Sequence, residues 1–155
     1  MATTSRVPAA VDALLAILRA APALSAVHIA DGPTAVNLTN RQRIYIGWQP
    51  SADAAVALTQ SFNSAGARTR DEDFDIACYA ESRAGDKDMA LRRTRVFELV
   101  AAVETALRAT DAAPTAPTLN GAVLWSQLTT GNLTQEQSEG TLAGLAFTVS
   151  CRARI

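Results

Sequence analysis

Gly144-Leu-Ala-Phe-Thr-Val-Ser-Cys-Arg-Ala-Arg-Ile155 closes the chain with strict two-residue alternation. Leu145, Phe147, Val149, Cys151, Ala153 and Ile155 fall on one side, and Thr148, Ser150, Arg152 and Arg154 on the other. That period defines a strand with one face in a core and one face outside it. Ahead of it, residues 121–128 open a strand that continues through Leu133 and Gln137 to a turn at Glu139 and Gly140. Residues 121–155 are thus predicted to form an extended C-terminal hairpin.

Before the hairpin stands a helical run over residues 86–110. Met89, Val96, Val100, Val103 and Leu107 form its apolar stripe, flanked by Phe97, and Pro114 and Pro117 end it. Asp86 and Asp88 sit where negative charge complements the helix dipole. Asp88 with Arg92 and Glu104 with Arg108 are acid-before-base pairs four apart, each worth roughly 0.3 kcal/mol on a wet face.

Nearer the N-terminus, Val7, Val11, Leu14 and Leu18 recur at helical spacing, with Pro8 near the start and Pro22 beyond the end. Val27, His28 and Ile29 make a short strand closed by the turn cluster Asp31, Gly32 and Pro33. Residues 43–48 alternate as a second strand, and Phe74, Ile76 and Cys78 alternate in a further one that ends before Gly85. Residues 50–70 are ambiguous, and strand is the reading adopted. The predicted fold class is α+β: a mainly antiparallel sheet with two helices packed on one face, in the order α-β-β-β-α-β-β, or with a fourth strand before the second helix.

The chain has 155 residues, 48% of them hydrophobic and 19% charged, which suits one domain with a core of its own over residues 1–155. A net charge of −1 gives no field that would favour nucleic acid or an anionic membrane. Lys87 is the sole lysine beside many arginines, a usage that fits extensive pairing surface and equally a GC-rich genome. Residues 1–6 carry no signal-peptide pattern and residues 7–18 are too short to span a bilayer, so a cytoplasmic protein is expected.

Residues able to do chemistry are sparse. His28 has no evident carboxylate or thiol partner. Cys78 and Cys151 sit on apolar strand faces and are read as reduced core thiols, able to pair only if their strands are suitably placed neighbours. Asp71, Asp73 and Asp75 would share a strand face beside Glu72, but the pattern of a calcium loop is missing. No phosphate-cradling glycine loop, zinc ligand set or nucleophile elbow is present. No catalytic residue, cofactor or metal is therefore expected. Arg92, Arg93 and Arg95 form either a solvated face or an interface. Trp48 and Trp125 are read as core or sheet-edge residues, with an interface role as the alternative.

The element order, the segment Leu119-Asn120-Gly121 after the second helix and the closing run with Phe147, Val149 and its basic end resemble the tail terminator proteins of long-tailed bacteriophages, the minor tail protein U type. The resemblance implies a structural virion protein and no enzyme. Such a protein assembles as a ring, commonly a homohexamer, at the head-proximal end of the tail. It stops polymerisation of the tail tube protein and offers a surface to a head–tail connector protein. A connector or joining protein of similar fold, or a ligand-binding α+β domain, are the alternatives. A ring needs two complementary patches per subunit. The patches expected on that reading are an overhanging arm at residues 129–140 with Thr130, Asn132, Gln135, Gln137 and Glu139, the segment 50–70 with Phe62 and Arg68, and the arginines Arg92, Arg93 and Arg95.

Overall fold

A computed structural model describes residues 4–34, 41–66 and 68–155. The element order is α1 (Val7–Ala20), β1 (His28–Asp31), β2 (Gln42–Ile46), β3 (Val56–Phe62), β4 (Arg70–Ala84), α2 (Met89–Ala106), β5 (Trp125–Gln137) and β6 (Thr141–Arg154). The α+β class and the placement of both helices on one face hold, since α1, α2 and one side of the sheet share a single core. Four strands rather than three precede α2, because residues 56–62 and 70–84 are the two arms of a hairpin. The sheet is mixed: β1 and β2 are parallel, and the remaining pairs are antiparallel.

Strand β4, with 15 residues, is the spine. One side of it is matched by β6 from Asp71–Arg154 to Ala84–Thr141. The other side is shared end to end, by β3 along residues 70–76 and by β2 along residues 78–82. Ala77 is the junction: its carbonyl accepts from the amides of Gly47 and Trp48, and its amide donates to Ala55. Strand β1 extends the sheet beyond β2, and β5 closes the far side against β6.

Alternation along the spine sorts the faces. Phe74, Ile76, Cys78 and Ala80 of β4 meet Leu145, Phe147, Val149 and Cys151 of β6 under the helices. Leu14 and Leu18 of α1, and Val96, Leu99 and Val103 of α2, cover them. The predicted period of β6 is realised residue by residue, with Ile155 half-buried at its end. Strand β5 changes parity once, at a bulge that leaves Thr129 unmatched between the Leu128–Val149 and Thr130–Thr148 pairs.

Helix α2 is shorter than the predicted run. Asp88 is its N-cap, accepting from the Leu91 amide at 3.0 Å, so its carboxylate is spent on the helix end and not on Arg92. Asp86 lies outside the helix, where it accepts from the Asp88 amide at 3.2 Å and from the Thr141 hydroxyl at 3.0 Å. The predicted Glu104–Arg108 pair forms at 3.1 Å. After α2, Leu119, Asn120 and Gly121 adopt successive positive φ values of 47°, 56° and 86°, which turn the chain back toward β5 while Leu119 stays fully buried.

Two devices depart from plain apolar packing. Glu72 points into the helix side of the sheet and is fully buried. One oxygen accepts the Arg6 amide at 2.8 Å and the other accepts Gln60 Nε2 at 2.7 Å. Arg6 is the N-cap of α1 and has no side-chain cap there, so Glu72 supplies from the sheet both the acceptor and the negative charge that a helix start favours. On the opposite face Tyr45, Trp48 and Tyr79 form a small second core, with ring centroids 5.0 to 6.0 Å apart. Tyr79 lies flat across Gly144, and a Cβ at that glycine would come within 2.5 Å of the ring.

Two outcomes follow for stability, read by urea denaturation. Glu72→Ala should cost about 1–3 kcal/mol by stranding the Arg6 amide and Gln60. Gly144→Ala should cost a similar ~1–3 kcal/mol through overpacking, and Tyr79→Ser in the same chain should recover part of it.

Candidate interaction surfaces at the sheet edges

The sheet has two sides that no strand covers among the described residues: the outer edge of β5, and on the opposite flank the outer edges of β3 and β1. Each carries exposed apolar groups. On β3, Leu58 is 48% exposed and Phe62 68%. Beside β5, Phe97 of α2 is 49% exposed and Leu133 36%. Between α2 and β5 lies a groove of about 470 Å³, lined among others by Phe97, Val100, Leu128, Gly131 and Leu133, with Leu145 and Phe147 at its floor. Gly131 is what opens it: with no side chain at this position of the edge strand, the groove reaches the core.

The expected interface residues divide into three groups. Arg92 is corrected: it is 8% exposed, and its Nη1 donates to the buried Ser82 hydroxyl at 3.2 Å. It stands one turn before Val96 on the stripe that continues through Leu99 and Val103, so helical spacing puts it inside. Its Nε has no partner among the described residues. Arg93 and Arg95 are exposed as expected. Arg93 donates to Gln135 Oε1 at 2.8 Å, which ties α2 to β5 and brings two of the expected residues together, and Arg95 pairs with Glu98 at 2.8 Å.

Thr130, Asn132, Gln135 and Gln137 are exposed on β5, and Glu139 is exposed in the turn beyond it. They do not form an overhang. Strand β5 is paired along β6, and β6 along β4, up to the level of Ala84, because β4 is as long as the hairpin. Gly140 sits against the Ala84 carbonyl, too close for any Cβ. The segment that extends past the last cross-chain pair, between Arg70 and Ile155, is the β3–β4 turn, described at residues 63–66, 68 and 69. Phe62 ends β3 just before that turn and Arg68 lies within it, and both are exposed.

The face away from the helices is polar and internally matched. Asp71 pairs with Arg154 at 2.9 Å, Asp73 with Arg152 through two bonds of 2.8 and 3.0 Å, and Asp75 accepts from Ser150 at 2.6 Å. The three carboxylates do share a face, and their neighbours on β6 occupy them. Among the described residues no cluster of ligands suits a metal ion. Higher on this face Arg43 and Arg83 approach Glu81 at 3.4 and 3.2 Å, and the Tyr45 hydroxyl donates to it at 3.3 Å. Trp125 stands on the same face opposite Arg152 and is exposed, whereas Trp48 is half-buried against the tyrosines.

His28 begins β1 and is half-buried. The thiols of Cys78 and Cys151 are pushed up to about 12 by burial. Cys78 faces Phe147 and Cys151 faces Phe74, four positions along β4, on the order of 13 Å and beyond disulfide reach. Among the described residues no helix is long and apolar enough to cross a membrane. The sequence matches no protein family and no curated protein.

The groove was half legible. Phe97 stood out beside the helical stripe, and Gly131 interrupts an otherwise side-chain-rich strand, a signal for close approach or an opening. That Leu128 and Leu133 share a face depends on the bulge at Thr129, which periodicity alone does not locate.

The carboxyls of Asp71 and Asp73 lie below the usual 3.8, chiefly through their hydrogen bonds to Arg154 and Arg152, and that of Asp86 through its bond from Thr141. A carboxylate depressed in the folded state contributes stability that is complete above its unfolded pKa and is lost as pH falls through the folded value. Denaturation midpoints should therefore drop on acidification below about pH 4. Carrying Asp71→Asn and Asp73→Asn together should flatten that decline.

Proposed function

We propose that the chain is a structural subunit of the phage tail terminator kind, with no catalytic role. It forms a closed ring, of about six copies, on the head-proximal end of a tail tube, stops further addition of tube subunits and receives the head–tail connector. The ring is a virion component assembled in the host cytoplasm.

The observation that carries this reading is the pair of sheet flanks that no strand covers among the described residues, each with apolar residues exposed on the helix-bearing side. A sheet that ended its business within one subunit would hide such edges under a loop, a proline or inward charge. A closed ring needs two different patches on each subunit, and opposite flanks of one sheet supply them with the required separation. The closing run supports the same reading: Phe147 and Val149 are core residues under α2, while Arg152 and Arg154 are held outward by Asp73 and Asp71.

Light scattering across a concentration series, with negative-stain images of the same fractions, tests the ring. Rings of about six copies are expected, and adding them to polymerising tube subunits should shorten the tubes. Rings that bind a portal-side protein and leave tube length unchanged would favour a connector. A monomer whose thermal midpoint rises only with a small ligand would overturn the structural reading.

A further inference from the structure

Resting on the ring reading, we propose that neighbouring subunits join head to tail by seating Phe62 of one copy in the α2–β5 groove of the next. The knob and the hole belong to the same chain and lie on opposite flanks of its sheet. Phe62 ends β3 and is 68% exposed, the most exposed of the large apolar side chains among the described residues. It stands at the base of the β3–β4 turn, which extends past the Arg70–Ile155 pair.

The faces agree. Phe62 follows Val56, Leu58 and Gln60 in parity, and these oppose Ile76, Phe74 and Glu72 on the helix side of β4. Gly131 and Leu133 oppose Phe147 and Leu145, which are also on the helix side. The contact therefore buries apolar surface from both copies on the side where α2 already stands. The ion-paired face is left untouched. At about 470 Å³ the groove has room for an aromatic ring, and its floor of Leu145 and Phe147 is apolar.

Charge agrees as well. Arg68, exposed in the β3–β4 turn, has no ion pair among the described residues, and Glu104 lines the groove. Glu104 is held by Arg108 through an exposed pair, which a better-placed arginine can replace at little cost. Phe62 is level with Arg70 of β4, and Gly131, through Phe147, is level with Cys78. Neighbours are thus stepped along the strand direction by on the order of 25 Å. A closed set of tilted strands has a stagger of this kind. A heterologous contact that repeats around an axis gives a ring where its rotation closes, as the proposed ring requires.

The test uses complementary defects in the full chain. Phe62→Asp spoils the knob at an exposed position. Gly131→Leu fills the groove, and the fold has room for it, since an added Cβ meets Leu145 Cδ1 at an ordinary 3.6 Å. Each variant alone should self-associate at least about tenfold more weakly than the wild type. Mixed in equal amounts they should form a dimer and stop there, because one intact knob and one intact groove remain. Circular dichroism melts report whether both fold. With knob and groove both intact, a chain carrying Arg68→Cys and Glu104→Cys should give a ladder of cross-linked oligomers under mild oxidation or with a short thiol-reactive cross-linker, while each single replacement gives none of that ladder. Cys78 and Cys151 are buried and stay silent.

If wild-type rings form and both variants assemble as well as the wild type, or the double-cysteine chain gives no ladder, this contact is overturned and the ring reading stands. If the wild type stays monomeric at every concentration and on tube ends, both are overturned. Binding of a peptide or tube segment in the groove with rings unaffected by Gly131→Leu would also overturn it.

Discussion

The antiparallel ladder between β4 and β6 is the constraint on which the remaining structure hangs. It runs along the length of both strands, β2, β3 and β5 attach to its two outer sides, and β1 follows on from β2. Its pleat decides what each neighbour must present. On one face it offers Phe74, Ile76, Cys78, Leu145, Phe147 and Val149, and the helices exist as stable elements because that strip needs covering. On the other face it offers Asp71, Asp73, Arg152 and Arg154, which neutralise one another across the strands and need no cover. A slip of one residue between β4 and β6 would send every one of these side chains to the wrong face.

The two places where a charge or a ring sits against this plan are also where elements are tied together. Glu72 breaks the apolar strip at its lower end, and in return caps α1 and holds Gln60 of β3, which itself donates to the Thr4 carbonyl at 2.7 Å. One buried carboxylate thus fixes the N-terminal helix and the β3 strand to the spine. At the upper end Tyr79 lies over Gly144, and with Tyr45 and Trp48 it pins the turn after β2 to the polar face. Gln49 adds a bond of 2.7 Å to the Phe147 carbonyl. The lower half of the sheet is closed by a hydrogen-bonded charge and the upper half by aromatic packing.

Much of this was legible because alternation in β6 is uninterrupted and because both helices carry apolar stripes. Helix and strand types, both helices on one face and the hairpin at the end all come from periodicity. What was lost has physical reasons. Arg92 carries a charge, so its place on the buried stripe was overridden by chemistry, although its spacing to Val96 and Val103 said otherwise. Asp88 was counted as a partner for Arg92 because spacing does not distinguish a pairing acid from a capping one. The supposed overhang at residues 129–140 failed because the length of β4 was underestimated: its N-terminal half, Arg70 to Asp75, is so charged that it reads as a solvated approach to a strand. The parity switch at Thr129 is invisible to a period-two count.

Edge strands usually carry defences. Strand β1 has one, being four residues long. Strand β5 is thirteen residues long, with a bulge at Thr129 but no proline and no lysine. Its exposed side chains are mostly neutral, Thr, Asn and Gln, with Glu136 near its end, and neither these nor the bulge stops a second chain from approaching. Strand β3 leaves Leu58 and Phe62 in water with no covering element among the described residues. One undefended edge invites aggregation. Two on opposite flanks, each with its apolar groups on the same face, define a direction of addition, and a direction with a fixed stagger and curvature ends either in a filament or in a ring. The twist of a five-strand-wide sheet supplies the curvature. The glycine at position 131 then sets where along the edge a neighbour can settle, because at that point the edge opens to the core instead of presenting a side chain.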